Sequence, residues 1–138
     1  MSRYATPAAD FLHGTLDVLI LKTLTGGAMH GYAIGKAIEV GSGGALTVEE
    51  GSLYPALYRM EKRGWLDAEW GTSELGRRAK FYRLTRMGRQ QLASDTVAWA
   101  AFAAAVNRIL VPAFARADAG ELRRGLAEAP SGRGGGKG

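Results

Sequence analysis

Glycine cuts this chain into pieces that only a small, locally connected fold can use. Gly26-Gly27, Gly41-Ser42-Gly43-Gly44 and Gly64 each follow an apolar segment of helical period, and the span Gly71–Gly76 separates two strand-like segments. Glycine ends helices because it alone enters left-handed backbone without a side-chain penalty. Between these stops the elements can be read directly. Leu16, Leu19, Ile20 and Leu24 recur at helical spacing over Gly14–Leu24. A second helix is predicted over Gly31–Val40, with Ile34, Ala37 and Ile38 inward, and a third over Glu50–Arg63. Ala45–Val48 is a candidate edge strand. Leu66, Ala68 and Trp70 alternate with Asp67 and Glu69, the period of a half-buried strand, and Ala79–Leu84 returns as its partner. Thr85 to about Leu110 reads as one long helix, broken at Pro112.

The order helix, helix, short strand, helix, hairpin, long helix is mainly α with a small β-hairpin. Its first five elements give a winged helix-turn-helix. At 138 residues the chain is long enough for one domain with a real core and short for two. The expected division is a flexible segment over 1–10, a winged helix-turn-helix DNA-binding domain over 11–84 and a C-terminal dimerisation helix over 85–111. A helical extension over 112–129 follows, with Asp118 and Glu121 at capping-box spacing, and then a Gly-rich tail over 130–138 with no side chain that packs.

Charge gives this arrangement a purpose. Between Arg59 and Arg89 stand nine basic residues against four acidic ones; elsewhere the two signs balance, so the formal +5 of the whole chain lies in this stretch. It covers the end of the third helix and the hairpin. A helix beside a positive hairpin suits a DNA duplex, one element entering a groove while the other neutralises phosphates. Wound at helical pitch, the third helix puts Leu53, Ala56, Leu57 and Met60 on a core stripe and Gly51, Pro55, Tyr58, Arg59 and Lys62 on the opposite face. Tyr58 is read as a DNA contact; Tyr54, at the flank, either packs against the hairpin or touches DNA. Pro55 suits a helix if it falls within the first turn, which places the working start near Ser52 and leaves Gly51 and Ser52 amides near phosphate.

Other chemistry finds little support. The chain has no cysteine, which removes disulfides, thiolate metal sites and thiol nucleophiles. His13 and His30 lack further ligands at metal spacing, so no metal is expected; His30, just before the second helix, caps it or touches phosphate. Ser52, Ser73, Ser94 and Ser131 lack a Gly-x-Ser-x-Gly context, and Glu49-Glu50 sit where a helix dipole welcomes negative charge. No enzyme and no cofactor are expected. The apolar run Val18–Leu21 is far short of a membrane span, and Met1–Asp10 lacks a signal-peptide profile, so a cytoplasmic protein without a membrane partner is expected.

Several stretches in unbroken order resemble the PadR family of transcriptional regulators: Leu12–Leu21, Met29-His30-Gly31-Tyr32, Glu50–Leu57, Gly64-Trp65-Leu66 and Arg77–Thr85. The single C-terminal helix looks like the shorter subfamily. The resemblance implies a homodimeric winged-helix protein, usually a repressor. It implies a third helix in the major groove, a wing on phosphate or minor groove, and a C-terminal helix that pairs the subunits. Carried over onto this chain, it puts Tyr32, Ser52, Tyr54, Pro55 and Tyr58 at or beside DNA; Arg77, Arg78 and Lys80 of the hairpin complete the expected interface.

The long helix carries Leu92, Thr96, Trp99, Phe102, Ala103, Val106, Ile109 and Leu110 on a broad apolar stripe. It extends about 15 residues past anything a three-helix core can cover, so a homodimer built on Trp99, Phe102, Ala103, Val106, Ile109 and Leu110 is the economical reading. Trp99 and Phe102 are either plain dimer core or the wall of a pocket for a small apolar or phenolic effector. Two other functions stay open on sequence alone: a winged-helix protein-interaction module, and a small-molecule-binding module without a DNA role.

Overall fold

The computed structural model describes residues 14–111. The expected N-terminal segment, helical extension and Gly-rich tail lie outside the described residues. The elements are α1 (Leu16–Thr23), a single 3-10 turn (Leu24–Gly26), β1 (Met29–His30), α2 (Gly31–Gly41), α3 (Glu50–Lys62), β2 (Leu66–Thr72), β3 (Arg78–Leu84) and α4 (Arg86–Leu110). The chain divides into two compact units, one ending at Thr96 and one beginning at Val97.

In the first unit three short helices and a three-stranded antiparallel sheet, in the order β1-β3-β2, enclose one core. Ile20, Leu21, Leu24, Ile34, Leu57, Met60 and Leu66 are fully buried there. This is the winged helix-turn-helix expected from the sequence. The glycine stops behave as read. After α3, Gly64 takes φ 82° while its amide donates to Glu61 O and that of Trp65 to Met60 O. After α2, Gly43 (φ 67°) donates to Val40 O and Gly44 to Glu39 O. Both are Schellman closures, which satisfy the last carbonyls and turn the chain sharply out of the helix.

Two expectations need correction. The third strand is β1, paired through Met29↔Tyr82 and His30↔Phe81, and not Ala45–Val48. Ser42 occupies the first two of the latter segment's donors: Ala45 N–H bonds its carbonyl and Leu46 N–H its hydroxyl. Leu46 and Val48 still lean on the core. The second correction concerns Pro55. α3 starts at Glu50, because the Glu49 carbonyl accepts from both Ser52 N–H and Leu53 N–H, so Pro55 lies beyond the first turn and the Ser52 amide is already engaged. The proline leaves the Gly51 carbonyl without its helical donor; both residues are exposed, where that carbonyl can be satisfied from outside.

The start of α4 is fixed to the end of α3. Thr85 Oγ accepts from Gly88 N–H at 3.0 Å, an N-cap bond, and lies 2.7 Å from Gly64 O and 3.0 Å from Trp65 O, to which it donates. Leu92 packs against the core. In the second unit, Trp99 and Phe102 have ring centroids 6.1 Å apart at 41°. Phe102, Ile109 and Leu110 are exposed, and Ala103 and Val106 half-buried. Among the described residues no helix is long and apolar enough to cross a membrane.

Candidate nucleic-acid interface

α3 sorts its side chains as its period requires. Leu53, Ala56, Leu57 and Met60 are buried, while Gly51, Pro55, Tyr58, Arg59 and Lys62 all lie on the exposed side. Tyr58 is 61% exposed, with the Lys62 ammonium 5.5 Å from its ring centre. Arg59 is not free: its Nη2 lies 2.6 Å from Asp17 Oδ1 of α1.

In the hairpin, strand alternation separates the charges. The register Leu66↔Leu84, Ala68↔Tyr82, Trp70↔Lys80 and Thr72↔Arg78 puts these pairs on the face that begins in the core. Asp67, Glu69 and Arg83 share the other face, with Arg83 3.8 Å from each carboxylate. Asp67 and Glu69 are therefore on the face away from Arg78 and Lys80. The Arg78 guanidinium lies over the Trp70 indole at 4.7 Å, a cation–π contact. Lys80 Nζ bonds Glu61 Oε1 of α3 at 3.0 Å, and that bond raises the lysine above its ordinary pKa.

Between hairpin and helices opens a cleft of about 750 Å³. Tyr32, Tyr54, Trp70, Arg77, Arg78 and Lys80 are among its lining residues, so five expected contacts, from α2, α3 and the wing, meet at one place. Tyr54 lies across the start of α2. A Cβ at Gly31 would come within 2.5 Å of its ring, so only glycine lets the tyrosine settle there. Burial, and then the charge of Glu50, push the Tyr54 phenol above its usual pKa. His30 does what its position promised, accepting from Ala33 N–H at 3.2 Å as the α2 cap. Its other nitrogen lies 3.3 Å from Glu74 Oε1 and ties the wing turn to α2. Backbone and His30 hydrogen bonds hold the Glu74 carboxyl below its usual pKa. Among the described residues no group of His, Cys, Asp or Glu is placed to hold a metal.

Residues 20–94 match the family model described as the PadR-like family of transcriptional regulators. The chain belongs to that family. A transcriptional regulator from Clostridium thermocellum is 29% identical, with a TM-score of 0.67 over 73% of this chain and 98% of its own. A PadR-like transcriptional regulator from Bacillus cereus, also 29% identical, gives 0.62 over 74% and 97%. A PadR family regulator from Eggerthella lenta gives 0.63 at 29% identity over 74% and 87%. An uncharacterised protein of Lysinibacillus sphaericus is 29% identical over 92 residues, 67% of this chain and 84% of that one. This PadR-like chain is accordingly a DNA-binding transcriptional regulator and not an enzyme.

Three residues of the interface were not singled out from sequence. Asp17 and Glu61 each neutralise a cation expected to be free, and Trp70 supports Arg78. Only Trp70 had a readable signal, a large aromatic at strand period facing a basic return strand. Trp99, Phe102, Ala103, Val106, Ile109 and Leu110 belong to the second unit.

Proposed function

We propose that this regulator acts as a homodimeric repressor of an inverted-repeat operator, with α3 in the major groove and the β2–β3 wing on phosphate. One observation carries the reading: the face of α3 that bears Gly51, Pro55, Tyr58 and Lys62 is exposed beside a wing whose Arg77 and Arg78 are also exposed. Tyr32 and Tyr54 flank that face, and Ser52 stands at its start. Tyr58 reads sequence from mid-face, while Arg77 and Arg78 hold the backbone. Two reading helices related by a twofold axis address half-sites about 10 bp apart.

The second unit supports the dimer. Trp99 is 48% and Phe102 62% exposed, on a helix whose Ile109 and Leu110 are exposed as well. A second copy of α4 laid against Trp99, Phe102, Ala103, Val106, Ile109 and Leu110 removes that apolar surface from water. An apolar or phenolic effector bound at Trp99 and Phe102 changes the spacing of the two reading helices and releases the operator. The protein works in the cytoplasm, beside the DNA it controls.

Gel shifts on the DNA upstream of the protein's own gene test the reading, with a specific complex expected that random DNA of equal length does not compete away. Sizing by light scattering is expected to give twice the chain mass. The ion pair to Glu61 adds a finer expectation. Lys80→Ala flattens the dependence of log Kd on log salt less than Arg77→Ala does, because Lys80 is already held. Glu61→Gln releases Lys80 and steepens that slope by about 0.9, the value of one added phosphate contact. In the Glu61→Gln, Lys80→Ala double variant the gain disappears.

A further inference from the structure

The wing is a two-stranded ribbon over most of its length. β1 meets β3 only at Tyr82 and Phe81, so among the described residues Arg78, Ala79 and Lys80 have β2 as their one strand neighbour. Such ribbons twist strongly and hold their shape poorly without support. Lys80 is anchored to α3 through Glu61 at 3.0 Å. The turn beyond it, which leads into Arg77, is anchored through Glu74 to His30.

Both ends of that second tie are stiff. His30 pairs with Phe81 in the sheet, its ring meets the Phe81 ring edge-on at 5.3 Å, and its Nδ1 accepts from Ala33 N–H. Because Nδ1 accepts, the neutral imidazole carries its proton on Nε2, which donates to Glu74 Oε1 at 3.3 Å. In the turn, Ser73 N–H bonds Arg77 O at 2.7 Å, Gly76 N–H bonds Ser73 O at 2.9 Å, and Gly76 takes φ 77°. A turn closed in this way moves as one piece, so whatever holds Glu74 also holds Arg77.

As a charge, Glu74 works against DNA. It lines the same cleft as Arg77 and Arg78, where a carboxylate repels the phosphates that the arginines attract. As the fixed end of a strut it works for DNA. The two roles give substitutions of opposite sign.

We propose that His30 and Glu74 are positioning residues, a role that rests on the DNA-binding reading above: their bond fixes the wing turn against the start of α2, so that Arg77 and Arg78 reach phosphate while Tyr58 is seated in the groove. Both act through the wing, and neither touches DNA.

Three single variants of the full chain separate strut from charge. Glu74→Gln and Glu74→Ala remove the same negative charge, but only glutamine keeps an oxygen that accepts from Nε2–H. His30→Asn keeps an α2 cap, since asparagine is a favoured N-cap, and is too short to reach Glu74. Glu74 is exposed, so its variants keep the fold even where His30→Asn does not. In anisotropy titrations on the upstream DNA and on random duplex, Glu74→Gln is expected to keep wild-type operator affinity or better. Glu74→Ala and His30→Asn are each expected to bind operator about threefold more weakly, the scale of one exposed charged contact, and Glu74→Ala to bind random duplex no more weakly. Their double variant is expected to lose no more than either alone, because each breaks the same bond. Operator affinity of Glu74→Ala equal to or above that of Glu74→Gln overturns the strut, as do losses that add in the double variant. Amide exchange at Gly76 and Arg77 in the free protein reads the strut without DNA, and is expected to be faster in Glu74→Ala than in Glu74→Gln. If the wild type ignores its upstream DNA, the operator reading falls while that difference in exchange upholds the tie between wing and α2; equal exchange overturns the tie as well.

Discussion

Gly88→Ala is expected to lower the melting temperature by on the order of 15 °C, the largest effect of a glycine-to-alanine change among the described residues. A Cβ at Gly88 collides with the backbone carbonyl oxygen of Trp65 and comes within 2.8 Å of Leu84 Cδ1 and 3.1 Å of the Trp65 carbonyl carbon. The opposing atoms include backbone, which cannot swing aside as a long side chain can. Nor can the helix retreat cheaply. Gly88 N–H is bonded to the Thr85 hydroxyl, and that hydroxyl to the carbonyls of Gly64 and Trp65, so any outward shift of α4 breaks the junction that joins it to α3. Overpacking of this kind costs about 3 kcal/mol, which in a domain of this size gives the stated shift. Thermal melts by circular dichroism measure it, with Gly51→Ala as comparison, since a Cβ there meets nothing within 4 Å. Should Gly88→Ala melt with the wild type, the close approach of α4 to Trp65 is wrong.

The largest effect on DNA binding is expected from Arg77→Ala combined with Arg78→Ala. Each lost phosphate contact flattens the slope of log Kd against log salt by about 0.9, so the pair removes nearly two units and about 60-fold of affinity at 0.1 M salt. Operator and random DNA lose alike, because phosphates carry no sequence. Tyr58→Ala has the opposite signature. It costs roughly 1–3 kcal/mol of discrimination between operator and random sequence and leaves the salt slope nearly unchanged. Binding isotherms on both DNAs at four salt concentrations separate the two. If the arginine variants alter sequence preference and Tyr58→Ala does not, α3 and the wing have exchanged roles.

Much of the first unit was legible because short-range rules set it. Helical period placed Leu53, Ala56, Leu57 and Met60 inward and Tyr58 outward, and glycine marked the helix ends at Gly64 and Gly43. What sequence concealed depends on partners distant in the chain. β1 is two residues long, too short to show a period, and exists only because β3 supplies Tyr82 and Phe81. Asp17 meets Arg59 from 42 residues away, and Glu61 meets Lys80 from 19. A count of charges cannot show which cations are already spoken for. Pro55 misled for a similar reason: its place in the helix depends on where Glu49 begins the hydrogen-bond ladder, and that is settled by geometry and not by residue type.

In the reading proposed above, α3 and the wing together hold a specific DNA site. Fluorescence anisotropy on the labelled upstream region of the protein's own gene tests it most directly, measured from 50 to 300 mM salt with and without excess random duplex. The expected result is a complex that survives the competitor, weakens steeply with salt, and loses nearly two units of slope in the Arg77→Ala, Arg78→Ala variant. Binding that is absent, indifferent to salt, or equally strong on random duplex contradicts it.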